Sequence, residues 1–161
     1  MSNDDMRDQD RAWDLMKKIG FAMLVTRDGD QLRSRPMSAY LARDEGMIYF
    51  LTDARHHKDE EIARSPQVNL SFADSGSQKY VSVTGSAAIS NDRAKIRELF
   101  TTTAKAWWDS ADDPNIRLLR ITPEYAEFWD SPGTVVSYVK TAAAAVTGTR
   151  PDIGDNRKVA M

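Results

Sequence analysis

Three side chains in the first part of the chain are suited to holding an anion: Arg35, Thr52 and Lys58. Arg35 offers a planar fork of donors that matches a phosphate. Thr52 places a hydroxyl at the end of the apolar run Gly46–Thr52. Lys58 falls in the opening turn of a predicted helix, where free backbone N–H groups and the helix dipole already favour negative charge. Charge-assisted hydrogen bonds contribute about 1.5–3 kcal/mol each. Three of them would supply much of the roughly 8 kcal/mol of a micromolar complex. Metal and thiol chemistry find less support. The chain has no cysteine, and His56 and His57 are its only histidines. Adjacent histidines on a helix point in different directions, and no third ligand is marked. Trp107 and Trp108 precede a polar loop, where they would either wall a ring-shaped ligand or pack at a surface.

The elements that must position these groups can be read in order. Asp4–Ile19 is predicted as an amphipathic helix with Trp13, Met16 and Ile19 inward, stopped by Gly20. Phe21–Thr26 is a short strand, followed by the turn Arg27-Asp28-Gly29-Asp30. Gln31–Leu41 and Gly46–Thr52 are predicted as two strands of a hairpin joined by the turn around Arg43–Gly46. Arg33, Arg35, Met37, Ala39 and Leu41 would share one face, and Ser34, Pro36, Ser38 and Tyr40 the other. Pro36 lacks an N–H and belongs at an edge or a bulge. Asp53 or its neighbour is the expected cap of a helix reaching about Arg64, with Ile62 and Ala63 facing the core.

Further along, Val68–Ala73 alternates as a half-buried strand and Tyr80–Ile89 reads as a longer strand, with Gly85 marking a bend or close approach. Asn91 or Asp92 caps a helix predicted over Arg93–Ala106. Ile116–Asp130 is a long strand. Thr134–Val146 is a helix carrying four consecutive alanines, and Thr147–Met161 reads as a tail ordered by a partner subunit.

The 161 residues fit one domain over 1–161 with a real core. Charged residues make up 29% and hydrophobic ones 41%, an ordinary soluble balance. The net charge of −2 does not resemble a nucleic-acid footprint, which needs clustered positive charge. The acidic start Met1-Ser2-Asn3-Asp4-Asp5 does not read as a secretory signal, and no run approaches a membrane span. Together with the missing cysteines, this fits a cytoplasmic protein.

Arg35-Pro36-Met37, then Phe50-Leu51-Thr52, then His57-Lys58 resemble the FMN-binding signature of the pyridoxamine 5′-phosphate oxidase-like split-barrel superfamily, in its bacterial general stress protein branch. Tyr80-Val81-Ser82-Val83-Thr84-Gly85 and Ala126-Glu127-Phe128-Trp129 extend the match, so that it runs from Trp13 to Asp130. The resemblance implies a mainly β fold, a six-stranded antiparallel split β-barrel flanked by helices, assembled as a homodimer with FMN in two equivalent interface clefts. It assigns cofactor contact to Arg35, Pro36, Met37, Ser38, Phe50, Leu51, Thr52, His57, Lys58, Tyr80 and Trp129, the last reaching the flavin across the interface. No catalytic side chain is marked and no metal is implied. Vitamin B6 oxidases carry an arginine/histidine segment after the matched tryptophan; here Trp129 leads into Asp130-Ser131-Pro132-Gly133-Thr134. The resemblance therefore extends to flavin binding and not to pyridoxamine-phosphate oxidation. Glycine-rich dinucleotide fingerprints are missing. Three roles stay open: an FMN-dependent oxidoreductase of small molecules, a non-catalytic flavin store, buffer or sensor, and a relative holding deazaflavin or haem on the same barrel.

Overall fold

The computed structural model describes residues 1–150 and 154–161. A helix, α1 (Asn3–Ile19), opens the chain, capped by Ser2 and Asp5 in a reciprocal box and closed by Gly20 at φ +79°. The strands are β1 (Phe21–Asp28), β2 (Gln31–Ser38), β3 (Tyr40–Ala42), β4 (Met47–Asp53), β5 (Gln67–Asp74), β6 (Lys79–Ser90), β7 (Ile116–Asp130) and β8 (Asp155–Ala160). Among the described residues three further α-helices, α2 (Lys58–Arg64), α3 (Arg93–Leu99) and α4 (Thr134–Thr147), and two short 3-10 helices at Arg43–Glu45 and Ala104–Ala106 interrupt them.

All strand pairings are antiparallel, and the order is β2-β1-β5-β6-β7-β4-β3, with β8 added on β7. The two ends of that path, β2 and β3, are consecutive in sequence. Only Ala39 separates them, and its N–H donates to the carbonyl of Gly20 at 3.0 Å. One continuous segment therefore serves both edges, and this joins the sheet into a split barrel. The predicted strand Gln31–Leu41 is thus two strands. Its first part pairs with β1, and only Tyr40–Ala42 forms the expected hairpin with β4. Barrel closure forces the change of partner, which no local propensity records. Pro36 lies in β2, at the end of the strand order, where a missing N–H costs least.

The barrel interior holds Leu24, Ile48, Phe50, Leu70, Phe72, Val81, Val83, Leu119 and Ile121, with Trp13, Leu15 and Met16 of α1 packed onto it. A second cluster, Tyr49, Leu51, Ile96, Ala104, Ile116 and Leu118, lies on the other side of β4 and β7 under α3. This explains why β4 is buried on both faces. Gly85 sits at a register shift against β7, where a Cβ would meet the Thr122 carbonyl oxygen at 2.4 Å.

Four more expectations need correction. Asp53 does not cap a helix. It ends β4, and its carboxylate accepts from the Arg55 backbone N–H at 2.9 Å, closing a local turn that delays α2 until Lys58. Ala63 is exposed; Glu61 and Ile62 are the buried residues of α2. The helix from Arg93 stops at Leu99 because Thr101-Thr102-Thr103 follows, a run of β-branched residues with competing hydroxyls. The C-terminal segment contributes β8 to its own sheet instead of trailing as a tail, although residues 151–153 lie outside the described residues. The strands number eight among the described residues because β2 and β3 separate and β8 is added. Among those residues no helix is long and apolar enough to cross a membrane.

Candidate functional site

Register places Arg35 opposite Leu24 and Met37 opposite Ala22, both buried residues of β1. Arg35 and Met37 therefore lie on the inner side of β2, as the alternation predicted. The helix α2 packs against β1 and β6 and covers this side. Its first residue, Lys58, reaches back until Nζ stands 3.8 Å from the Met37 sulfur. Arg35 and Lys58 thus form one cationic corner. Burial lowers the pKa of the Lys58 ammonium, and the neighbouring Arg35 charge lowers it further. Among the described residues no carboxylate pairs with Lys58.

Arg35 is not a free fork. Its Nη1 donates to Thr26 Oγ1 at 2.8 Å, and its Nη2 donates to Glu61 Oε2 at 3.0 Å and Oε1 at 3.3 Å. Thr26 Oγ1 donates in turn to Glu61 Oε2 at 2.6 Å, and Arg33 Nη1 reaches Glu61 Oε1 at 3.2 Å. The Nε of Arg35 has no hydrogen-bond partner among the described residues. Burial pushes the Glu61 carboxyl up, but the Thr26 and Arg35 hydrogen bonds and the two arginine charges outweigh it and hold it below the usual range. Neither Thr26 nor Glu61 was a candidate from the sequence, since they are 35 residues apart. One signal existed: Lys58, Glu61 and Ile62 stand at i, i+3 and i+4, so they share a helix face.

Thr52 ends the inner face of β4, two residues after buried Phe50. It is 2% exposed, and its hydroxyl has no hydrogen-bond partner among the described residues. Buried polar groups are rarely left unpaired, so this one calls for a physical explanation. Asp59, next to Lys58, likewise has a buried, unpartnered Oδ1, and burial pushes its carboxyl up. His57 is exposed at the N-terminal boundary of α2, and His56 is exposed beside it. Leu51 points away from Phe50, into the second cluster.

Pro36, Ser38, Tyr80 and Trp129 lie on the opposite, outer face. Pro36 pairs with Met23, Ser38 with Phe21, and Tyr80 with Trp129. Tyr80 and Trp129 are 37% and 36% exposed and line a shallow groove of about 440 Å³ with Ser71, Ala73 and Ser82. Within one chain, therefore, Arg35, Met37 and Lys58 gather at the inner corner, Thr52 lies on the inner face of β4, and Tyr80 and Trp129 stand apart on the outer face. The Trp107-Trp108 pair separates too. Trp107 is 79% exposed, and Trp108 Nε1 donates to Asp53 Oδ2 at 3.3 Å. After Trp129, Asp130 is bound by Lys79 at 2.6 Å and by Arg11.

Comparison with known proteins bears on this arrangement. Residues 7–152 match the family described as Pyridoxamine 5′-phosphate oxidase like. General stress protein 26 of Bacillus subtilis (strain 168) is 32% identical over 97 residues, covering 57% of this chain and 69% of that protein. A crystal structure from Jannaschia sp. CCS1, described in terms of general stress protein 26, superposes with a TM-score of 0.78 at 28% identity, covering 96% of this chain and 99% of the other. A Xanthomonas citri structure, described as a general stress FMN/FAD binding protein, gives 0.67 at 27% identity over 75% of this chain and 87% of that one.

Proposed function

The chain belongs to the Pyridoxamine 5′-phosphate oxidase like family, and from that premise we propose that it holds FMN and serves as an FMN-dependent oxidoreductase for a small molecule. One observation carries this reading: on the inner side of the barrel Lys58 is desolvated beside Arg35 and, among the described residues, forms no ion pair, although the charges of Asp59, Glu61 and Asp53 act on it, while on the inner face of β4 the buried Thr52 hydroxyl has no hydrogen-bond partner among those residues. Buried donors of this kind are costly unless a ligand completes them. The donor chemistry fits a phosphate monoester, whose charge of about −1.5 to −2 calls for cations and hydroxyls. Lys58, Thr52 and the free Nε edge of Arg35 would hold the phosphate. His57 and the Pro36-Met37-Ser38 backbone would border the ribityl chain and ring. The Xanthomonas citri relative is described as binding FMN or FAD, which supports a flavin as the bearer of that phosphate. The flavin supplies electron transfer; the protein binds, orients and shields it.

The two-sided distribution of candidate residues supports a homodimer. Phe21 (65% exposed), Met23, Tyr80 and Trp129 expose apolar surface on one face of the sheet. A two-fold interface through that face would bring Tyr80 and Trp129 of one copy to the flavin held by the other. Monomeric protein that still binds FMN would refute this part.

Titration of flavin-free protein with FMN and with riboflavin tests the phosphate corner. FMN is expected to bind at least about tenfold tighter; equal affinities would refute the corner. Stopped-flow reduction by NADPH, followed by reoxidation with a small-molecule acceptor, tests the catalytic role. Turnover supports an oxidoreductase, and an inert bound flavin makes the protein a store, buffer or sensor. A Soret band in the purified protein would assign haem instead.

A further inference from the structure

The side chain of Glu61 is 4% exposed, yet it carries a full charge on the inner face of a seven-residue helix. Taking a carboxylate out of water is expensive, and an ion pair in such a place is weak evidence of a gain in stability. What the carboxylate does locally is more specific. Glu61, Thr26 and Arg35 close a ring of hydrogen bonds at 2.6, 2.8 and 3.0 Å. The ring engages both terminal nitrogens of the guanidinium from the buried side. It leaves Nε as the free edge, beside a lysine whose charge repels it. Without the ring, Arg35 would be a long side chain free to swing away from Lys58. With it, two like charges are held close together before any ligand arrives, as preorganised anion binding requires.

We propose that Glu61 is a positioning residue for the phosphate corner, fixing Arg35 through the ring it shares with Thr26. The inference rests on the FMN reading above and adds to it how the corner is assembled. Glu61→Gln and Glu61→Ala separate geometry from charge, because both remove the same negative charge. Glutamine can still close the ring: with its Oε1 in the place of Glu61 Oε2 it accepts from Thr26 Oγ1 and Arg35 Nη2, and its Nε2 takes the side of Arg33, whose half-exposed side chain can turn away into solvent. Alanine cannot.

The experiment measures FMN and riboflavin dissociation constants for wild type, Glu61→Gln, Glu61→Ala and Thr26→Val. The preference for FMN over riboflavin is expected to stay at or above the wild-type value in Glu61→Gln. It should fall about tenfold in Glu61→Ala, the equivalent of one charge-assisted hydrogen bond. Retained preference in Glu61→Ala, or equal loss in Glu61→Gln, would overturn the proposal. If Glu61→Ala loses riboflavin as well, its fold is lost. Thr26→Val, which changes no charge, then decides: a several-fold loss of preference supports positioning, and no loss overturns it. Wild-type protein with no preference for FMN would instead refute the phosphate reading itself.

Discussion

Replacing Lys58 by methionine should separate ligand binding from stability, because the two respond in opposite directions. Methionine keeps an unbranched stem against Met37 and removes the ammonium. A charge-assisted hydrogen bond to phosphate contributes about 1.5–3 kcal/mol, so FMN should weaken by about 10- to 150-fold. Riboflavin, which has no phosphate, should change by less than about threefold. The flavin-free protein should behave differently. Burial and Arg35 hold the Lys58 pKa below its unfolded value, so the unfolded chain takes up that proton more readily. The resulting penalty on folding is full below the folded-state pKa. It disappears as pH rises through the unfolded value of about 10.4. Lys58→Met removes the penalty, so the flavin-free variant should resist urea better than wild type at pH 7, with the gap closing toward alkaline pH. Fluorescence titration with both flavins and urea melts at several pH values measure the two halves. A flavin-free variant less stable than wild type at pH 7, or FMN and riboflavin weakened by the same factor, would refute the reasoning.

Other outcomes follow from single contacts. Thr52→Val should leave flavin-free stability equal or higher, because it deletes an orphaned buried hydroxyl, yet weaken FMN by roughly 3- to 10-fold; titration and melting check both. Asp53→Asn should cost about 1–3 kcal/mol at pH 7 by urea unfolding, since Asp53 anchors the Arg55 turn and Trp108. The Arg55 hydrogen bonds hold its carboxyl far below the usual range. The stability it contributes is therefore present above the unfolded pKa of about 3.9 and lost as pH falls further, so the variant should show a shallower acid limb. Gly85→Ala should cost about 1–3 kcal/mol by denaturant melt, because the new methyl group meets the backbone oxygen of Thr122 at 2.4 Å. Phe21→Glu places a charge on the exposed apolar face. It should shift sedimentation to monomer and lower flavin affinity while leaving the circular dichroism spectrum unchanged.

Much of the fold was legible because its signals are local. The alternation of Val68, Leu70 and Phe72, and of Val81 and Val83, wrote two strands, and in the structure these five residues are the buried ones. The long strand Ile116–Asp130 and the stop at Gly20 were also correct from residue type alone, and of the two cap candidates, Asn91 and Asp92, the structure uses Asp92. The Arg35 and Lys58 pair was legible too, because a strand period and a helix start place side chains predictably.

Only the tertiary structure decided the rest, because the rest depends on residues far apart in the chain. Closing the barrel required the segment through Ala39 to change partners from β1 to β4, a demand set by the whole sheet and not by Gln31–Leu41. The occupation of Arg35 by Thr26 and Glu61 needed α2 to be laid across the end of β1, which sequence separation hides. The division of the candidate residues between an inner corner and an outer face followed from which side of each strand faces the core. The sequence thus determined which chemical groups are present and along which periodicities they run. Packing decided which of them meet, since a hydrogen bond between distant residues forms only when the burial of apolar surface has already brought their strands and helices together.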